Sequence, residues 1–319
     1  MPLLQCHELA IEYRSRGRVT RALDGVDVQI ESGQTVGIVG ESGSGKSTLG
    51  LAVGRLLPGN ARRLDGDLLL DGRSVFDLNN DELIQLRQST LGFVFQNPMS
   101  ALDPTIRIGH QVADVLPNAS AEAVNRLLAR VGLPEGNRVA ASYPHQLSGG
   151  MAQRVAIAIA IARNPRLIVA DEPTASLDAS VREQILELLV SLPRAIGATV
   201  VLLSHDLSAV ALHCSRVIVM YGGRAVEAGP SDLIFQRPSH PYTIALLKAA
   251  PGTEAPGETL HAIRGMHPLL SGRSTQCTFV ARCDWAADVC SSVRPETRRL
   301  GQREVICHRA EEVLENAAR

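Results

Sequence analysis

The segment Gly40-Glu41-Ser42-Gly43-Ser44-Gly45-Lys46-Ser47-Thr48 carries the first chemistry that can be read in this chain. It fits the spacing G-x-x-x-x-G-K-[ST]. In that pattern the glycines let backbone N–H groups turn inward around a phosphate, and the helix that follows adds its dipole and unpaired N–H donors. Lys46 is then placed to reach the β- and γ-phosphates of a nucleoside triphosphate, and the Ser47 hydroxyl to ligate Mg²⁺. A second, acidic element is needed for chemistry. Leu167-Ile-Val-Ala-Asp-Glu172 supplies it as an apolar run ending in paired carboxylates. Asp171 suits Mg²⁺ held through its water shell, and Glu172 suits the polarisation of a water that attacks the γ-phosphate. Ser148-Gly-Gly150 opens a further helical run from Met151, so free N–H groups and a positive dipole end make another anion site. One nucleotide has no use for two such sites in one subunit.

Cysteines form another constellation. Cys277, Cys283, Cys290 and Cys307 lie close together near the C-terminus, at spacings that match neither the C-x2-C zinc knuckle nor the common ferredoxin runs. Arg282, Arg294, Arg298, Arg299, Arg303 and Arg309 surround them, and such cations could offset the charge of a four-thiolate centre. Cys6 and Cys214 stand apart and read as core residues.

The elements that must position these groups follow from periodicity. Short β-branched runs at Thr35–Val39, Gly92–Phe95, Leu167–Ala170, Thr199–Leu203 and Arg216–Met220 read as strands. Helical patterns at Ser47–Leu57, Met151–Arg163 and Ser180–Leu192 alternate with them. That alternation predicts an α/β fold with a largely parallel sheet, whose ligands bind beyond the carboxyl ends of the strands. Residues 98–165 hold helical patterns at Arg107–Leu116 and Ala121–Val131 but no strand, and read as an inserted helical subdomain. From Pro251 the composition shifts to a Pro/Gly linker and a Cys- and Arg-rich tail, which divides the chain into 1–250 and 251–319.

Composition excludes several classes. Hydrophobic residues are 45% and charged residues 20% of 319, so a sizeable core is expected. A formal net charge of −1 and an aromatic content of 3% speak against a nucleic-acid surface. No apolar run is long enough to span a bilayer, and the N-terminus does not read as a signal peptide. The expected location is therefore the cytoplasm, where thiols stay reduced.

Leu147-Ser-Gly-Gly-Met-Ala-Gln153, just upstream of the acidic strand, resembles the signature motif of ABC ATPases. The resemblance covers roughly residues 3–250. It implies a P-loop NTPase (ABC ATPase) core with an antiparallel β-subdomain and an inserted helical subdomain. It also implies that Ser148, Gly149, Gly150 and Gln153 of one subunit close over the ATP held by another. By the same resemblance, Gln96 is a Mg²⁺ or water ligand that senses the membrane partner. Ser176, Leu177 and Asp178 would cross the dimer interface, His205 would contact the γ-phosphate, and Tyr13 would stack on adenine.

A narrower match is carried by Phe95-Gln-Asn-Pro-Met-Ser-Ala-Leu-Asp-Pro104, His240-Pro-Tyr-Thr243 and the terminal cysteines. These are similar to the dipeptide/oligopeptide/nickel importer ATPases. The departures are a short stretch between Gly109 and Leu127, and Asp103 where asparagine is usual. Membership implies two permease subunits, a second ATPase (a homologue or a second copy) and, indirectly, an extracytoplasmic solute-binding protein. It implies peripheral attachment to the cytoplasmic face of the membrane, and no nucleic acid. The cargo stays open among peptide, nickel chelate, opine and glutathione. The cysteine extension of such ATPases implies a [4Fe–4S] cluster, with Zn²⁺ as the alternative because thiolates suit both. Rival readings are a soluble ABC-type ATPase acting on ribosomes or DNA, and an export ATPase. The first has against it a single set of motifs and no sustained heptads.

Overall fold

The antiparallel β-subdomain that the resemblance implies is present at the N-terminus of the computed structural model. The structure describes residues 2–15, 17–175, 177–250 and 262–316, without the side chains of Leu192 and Pro193. Strands β1 (Pro2–Ser15) and β2 (Arg18–Glu31) run antiparallel, with register shifts between Cys6 and Leu9 and again between Ile11 and Glu12. Strand β3 (Thr35–Val39) is buried throughout and leads into helix α1 (Lys46–Val53). Helix α1 stops short of the expected Leu57. Arg55 adopts φ 49° and Leu56 N–H bonds Leu51 O at 2.8 Å, a left-handed cap that reverses the chain. Strands β4 (Ala61–Leu70) and β5 (Arg73–Ser74) complete a four-stranded antiparallel sheet of order β2-β1-β4-β5.

The chain divides into two compact units. One holds residues 32–35 and 78–202. It begins with α2 (Asn80–Ser89), closed by a capping box in which Asn79 and Glu82 exchange hydrogen bonds of 3.0 Å. Strand β6 (Leu91–Val94) follows, then α3 (Pro98–Ala101), α4 (Ile108–Val115), α5 (Ala121–Arg130), α6 (Gly136–Ala141) and α7 (Gly149–Ile161). Helix α7 is apolar on most sides and buries Val155, Ile157 and Ile161. Strand β7 (Leu167–Asp171), buried throughout, pairs in parallel with β6. Helix α8 (Ala179–Ile196) and strand β8 (Thr199–Ser204) end this part, with β8 beside β7.

The other unit holds residues 1–31, 36–77 and 203–319. To the elements above it adds α9 (Leu207–His213), β9 (Arg216–Tyr221), β10 (Arg224–Pro230), α10 (Ser231–Gln236) and α11 (Pro241–Lys248). From the tail it adds α12 (Asp288–Ser292), β11 (Arg298–Leu300), β12 (Arg303–Val305) and α13 (Ala310–Asn316). Its strand order is β11-β12-β10-β9-β3. The sheet is mixed rather than largely parallel. Gly222 and Gly223, at φ 55° and 74°, form a two-residue turn that folds β10 back on β9, and β12 and β11 continue antiparallel. Arg294 reaches the buried Asp24 carboxylate at 2.9 Å and Ile306 N–H bonds Val226 O at 2.8 Å, so the tail packs on the first and middle parts of this unit.

Candidate nucleotide site

The phosphate loop is held by backbone conformations that only glycine adopts cheaply. Gly40 sits at φ 153°, and a Cβ there would lie 2.2 Å from the Met220 carbonyl oxygen. Gly45 sits at φ 106° as the N-cap of α1, with the Ala22 carbonyl 2.6 Å from a Cβ position. No acidic residue occupies the first turn of α1, which leaves its positive end for an anion. Lys46 is buried, and its ammonium donates to Gly40 O at 2.7 Å and Glu41 O at 3.1 Å. The ammonium is thereby folded back across its own loop, where it can exchange these carbonyls for phosphate oxygens. Ser42, Gly43 and Ser47 are exposed, while Ser44 and Thr48 are buried. Tyr13 on β1 is half-buried, and its hydroxyl lies 3.2 Å from Thr48 Oγ1, which ties β1 to the first turn of α1. His205 is exposed just after β8.

Glu41 has partners the motif does not announce. Its N–H donates to the Tyr242 hydroxyl at 2.9 Å, and its carboxylate takes two hydrogen bonds from Arg282, at 2.7 and 3.0 Å. Tyr242 stands in the His-Pro-Tyr-Thr segment, which is itself anchored. Buried Glu227 accepts from Ser239 N–H at 2.6 Å and His240 N–H at 3.2 Å, and His240 Nδ1 caps α11 by accepting from Tyr242 N–H at 3.0 Å. Burial pushes the His240 imidazole down to about 3, so it is neutral in the folded chain.

In the other unit, Asp171 ends β7 and is buried, and Glu172 follows in the left-handed region at φ 45°. A non-glycine residue there is strained, which aims Glu172 out of the line of the strand. Gln96 is exposed just beyond β6. Ser148 is the N-cap of α7, its hydroxyl accepting from Met151 N–H at 3.3 Å. Gly149 and Gly150 face the start of α8: a Cβ on Gly149 would lie 3.5 Å from Leu177 Cδ2, and one on Gly150 2.7 Å from Val181 Cγ1. The structure therefore brings the signature glycines and Leu177 together. Gln153 is buried in α7. Asp178 accepts from Val181 N–H at 3.0 Å and Ser180 Oγ at 2.8 Å, and these bonds hold its carboxyl below the usual range. Ser176 lies outside the described residues. Asp103, the departure noted above, accepts from Thr105 N–H at 2.8 Å and Thr105 Oγ1 at 2.6 Å, closing a local turn.

Comparison with known proteins identifies the family. The family described as ABC transporter matches residues 23–175, and that described as oligopeptide/dipeptide transporter, C-terminal region, matches 226–290. The oligopeptide transport ATP-binding protein OppD of Lactococcus lactis subsp. cremoris is 40% identical over 302 residues, covering 92% of this chain and 89% of that one. The dipeptide transport ATP-binding protein DppD of Haemophilus influenzae is 38% identical over 315 residues, covering 97% and 96%. This chain belongs to the ABC transporter ATPases of the oligopeptide/dipeptide type.

Among solved structures, the dimeric ATP-binding cassette MJ0796 bound to ADP and Pi aligns with a TM-score of 0.64 at 32% identity, covering 72% of this chain and 98% of that one. The ABC ATPase fold and ATP hydrolysis follow for the present chain. Among the described residues, no helix is long and apolar enough to cross a membrane. As an ATPase of the ABC transporter family, the chain is associated with the membrane through its transporter.

The cysteine tail of this ABC ATPase is a different matter. Cys290 and Cys307 are buried, Cys277 and Cys283 half-buried, and Cys277 N–H bonds Cys290 O at 3.0 Å. Burial pushes the Cys283 thiol up to about 11 and Cys307 to about 12, and the negative charge of neighbouring thiolates adds to the rise. Left to themselves, such groups stay protonated. Among the described residues no set of three or more His, Cys, Asp or Glu side chains is arranged to hold a metal ion. The expected [4Fe–4S] or Zn²⁺ centre thus finds no ready-made ligand set. Sequence reasoning also missed Arg282 and Tyr242 as partners of the phosphate loop. The only signal for Arg282 was its place in a run of arginines near cysteines.

Proposed function

We propose that this ATPase powers peptide import, binding Mg·ATP on the Lys46 loop and hydrolysing it as one half of a dimer. The observation that carries the reading is the buried Lys46 ammonium folded over Gly40 and Glu41, in a chain whose His-Pro-Tyr-Thr segment and tail match the oligopeptide/dipeptide C-terminal region. The curated relatives are peptide import ATP-binding proteins, which favours import over the ribosome, DNA or export alternatives. In this reading Gly40 to Thr48 bind the phosphates, and Ser47, Gln96 and Asp171 hold Mg²⁺. Glu172 polarises the attacking water, His205 meets the γ-phosphate and Tyr13 receives adenine. Ser148, Gly149, Gly150 and Gln153 face the partner's nucleotide, with Ser176, Leu177 and Asp178 at the dimer interface. Residues 1–250 are the nucleotide-binding domain, with its helical subdomain near 98–165, and 251–319 the extension. The partners are two permeases, a second ATPase and, indirectly, a solute-binding protein, with this subunit on the cytoplasmic face of the membrane.

For the tail we keep a [4Fe–4S] centre as the reading to test. The Cys277 N–H bonds Cys290 O at 3.0 Å, which brings two of the four cysteines into one turn of chain and supports a shared site. One Zn²⁺ would draw thiolates to about 3.8 Å from each other, given Zn–S bonds of about 2.3 Å, whereas a four-iron cluster spaces its ligands more widely. Among the described residues no ligand set is arranged for either, so the assay of bound metal decides between them. Such a cluster would supply thiolate-bound iron as a cross-link, and this chain's arginines would balance its charge.

Co-expression with two permeases and a peptide-binding protein tests the function. ATP turnover in vesicles should rise when peptide is added, and the lone chain should turn over slowly. Full turnover by the lone chain, unmoved by membrane subunits, would overturn the reading.

A further inference from the structure

The guanidinium of Arg282 is fully committed. Its Nη1 donates to Glu41 Oε2 at 2.7 Å and to the Tyr221 hydroxyl at 3.3 Å. Its Nη2 donates to Glu41 Oε1 at 3.0 Å and Ile263 O at 3.2 Å, and its Nε to Arg264 O at 2.6 Å. These bonds occupy the five donors of the fork. The side chain is only 4% exposed, and a two-point Arg–carboxylate pair of this kind is directional as well as strong. Its partner, Glu41, is the second residue of the phosphate loop, and the carbonyl of the same residue receives Lys46 Nζ at 3.1 Å. A second tail residue lies against the loop: His267 Nδ1 is 3.8 Å from a Cβ position on Gly43, and His267 Nε2 accepts from Gly222 N–H at 3.4 Å. The residue after Arg282 is Cys283, and the Cys277–Cys290 backbone bond closes the same turn of tail.

We infer that Arg282 is a positioning residue for the nucleotide site: through Glu41 it fixes the phosphate loop, and so couples the fold of the cysteine tail to the affinity for Mg·ATP. The inference rests on the ATPase reading above and gives the tail a task in it. Glu41 leaves its carbonyl to Lys46 and its N–H to Tyr242, so the carboxylate is the one part of the residue that the tail grips. Freeing it lets the loop rotate away from the geometry that surrounds a β-phosphate. Coupling between two sites is reciprocal: if the tail strengthens nucleotide binding, the nucleotide must protect the tail by the same factor.

The test uses the full chain and titrates Mg·ATP by equilibrium binding to wild type, Arg282→Gln, Arg282→Lys, Glu41→Gln and the Arg282→Gln/Glu41→Gln double variant. Arg282→Gln should weaken binding on the order of tenfold. Arg282→Lys, which keeps the charge but not the fork, should recover part of it. The double variant should be no weaker than the worse single one, because both act through one contact. Amide hydrogen exchange over residues 279–285 supplies the readout that a merely structural role would not move. Mg·ATP should slow exchange there in wild type and not in Arg282→Gln. If wild type binds Mg·ATP through Lys46 but the nucleotide leaves tail exchange unchanged, the coupling is wrong and the ATPase reading stands. Additive losses in the double variant would also overturn it. If the wild-type chain binds no Mg·ATP, both fail together.

Discussion

The Tyr242 hydroxyl accepts the Glu41 N–H at 2.9 Å, joining a residue of the His-Pro-Tyr-Thr segment to the phosphate loop across most of the sequence. Its ring packs against Tyr221 at 4.4 Å and Phe279 at 5.4 Å between centroids, so the hydroxyl has little freedom to move. Tyr242→Phe keeps that packing and removes the acceptor. The stranded Glu41 N–H should cost about 1–3 kcal/mol in urea unfolding, and Mg·ATP affinity should fall with it. Unchanged stability and affinity would show that the loop does not depend on this bond.

Separation of binding from chemistry is the next expectation. Glu172→Gln should leave Mg·ATP binding intact and lower turnover by roughly 10²–10⁴, the range for loss of a general base. Lys46→Ala should instead weaken binding itself, because its ammonium is the buried cation of the loop. Binding isotherms and steady-state phosphate release distinguish the two. Normal turnover by Glu172→Gln in the assembled transporter would remove it from the chemistry.

The glycines divide into those that tolerate a side chain and those that do not. Gly40→Ala puts a Cβ 2.2 Å from backbone oxygen of Met220, at a positive φ, so neither neighbour can yield cheaply. It should lose Mg·ATP binding and several kcal/mol of stability, on the order of other strained-backbone substitutions. Gly59→Ala meets nothing within 4 Å and should change stability by less than about 0.5 kcal/mol. Thermal melts of the pair check both.

How far the sequence reached can be seen residue by residue. The strand before Gly40, the helix after Gly45 and the N-cap at Ser148 were legible because each is a local pattern of spacing and side-chain type. The mixed sheet was harder to read. Gly222-Gly223 is a plain hairpin signal, but β11 and β12 span only Arg298–Leu300 and Arg303–Val305, too short for periodicity to speak. The Arg282–Glu41 pair joins residues 241 positions apart, and a charge has no spacing rule at that range. The thiols of the tail were read as ligands from their clustering and from the family resemblance, whereas burial decides their protonation.

Acid should loosen the chain through His240. Its folded-state value is pushed down to about 3 from an ordinary 6.5, by burial first and by the nearby Arg224 charge, while a bond to the Ile306 backbone acts the other way. Between those values the unfolded chain binds a proton that the folded chain refuses. Stability from this residue is therefore complete above about pH 6.5 and is lost as pH falls toward 3, with a limiting slope of about 1.4 kcal/mol per pH unit. Glu227, raised by burial, works in the opposite sense just above pH 4.5. Comparison with His240→Gln isolates the histidine, since both proteins keep Glu227. Urea unfolding from pH 7.5 to 4.5 should show the steeper decline in wild type. Parallel curves would mean that His240 protonates in place and is not the acid-sensitive group.

The tail carries the last expectation. Anaerobic purification followed by iron and sulfide assay, with a visible spectrum, should find about four irons and four sulfides per chain if the four thiols ligate a [4Fe–4S] centre. Ligation requires thiolates, and burial holds Cys283 near 11 and Cys307 near 12, so iron must displace protons to bind. Incorporation should therefore rise with pH, and chelation should leave thiolates that take up protons from solvent, and should loosen Phe279, the buried aromatic beside them. Cys283→Ser should lose the cluster and, through the neighbouring Arg282, weaken Mg·ATP binding. A protein that holds zinc in its place would keep the site and change the metal. A metal-free protein with four thiols that alkylate only on unfolding would make them core residues, as the burial of Cys290 and Cys307 already allows for those two.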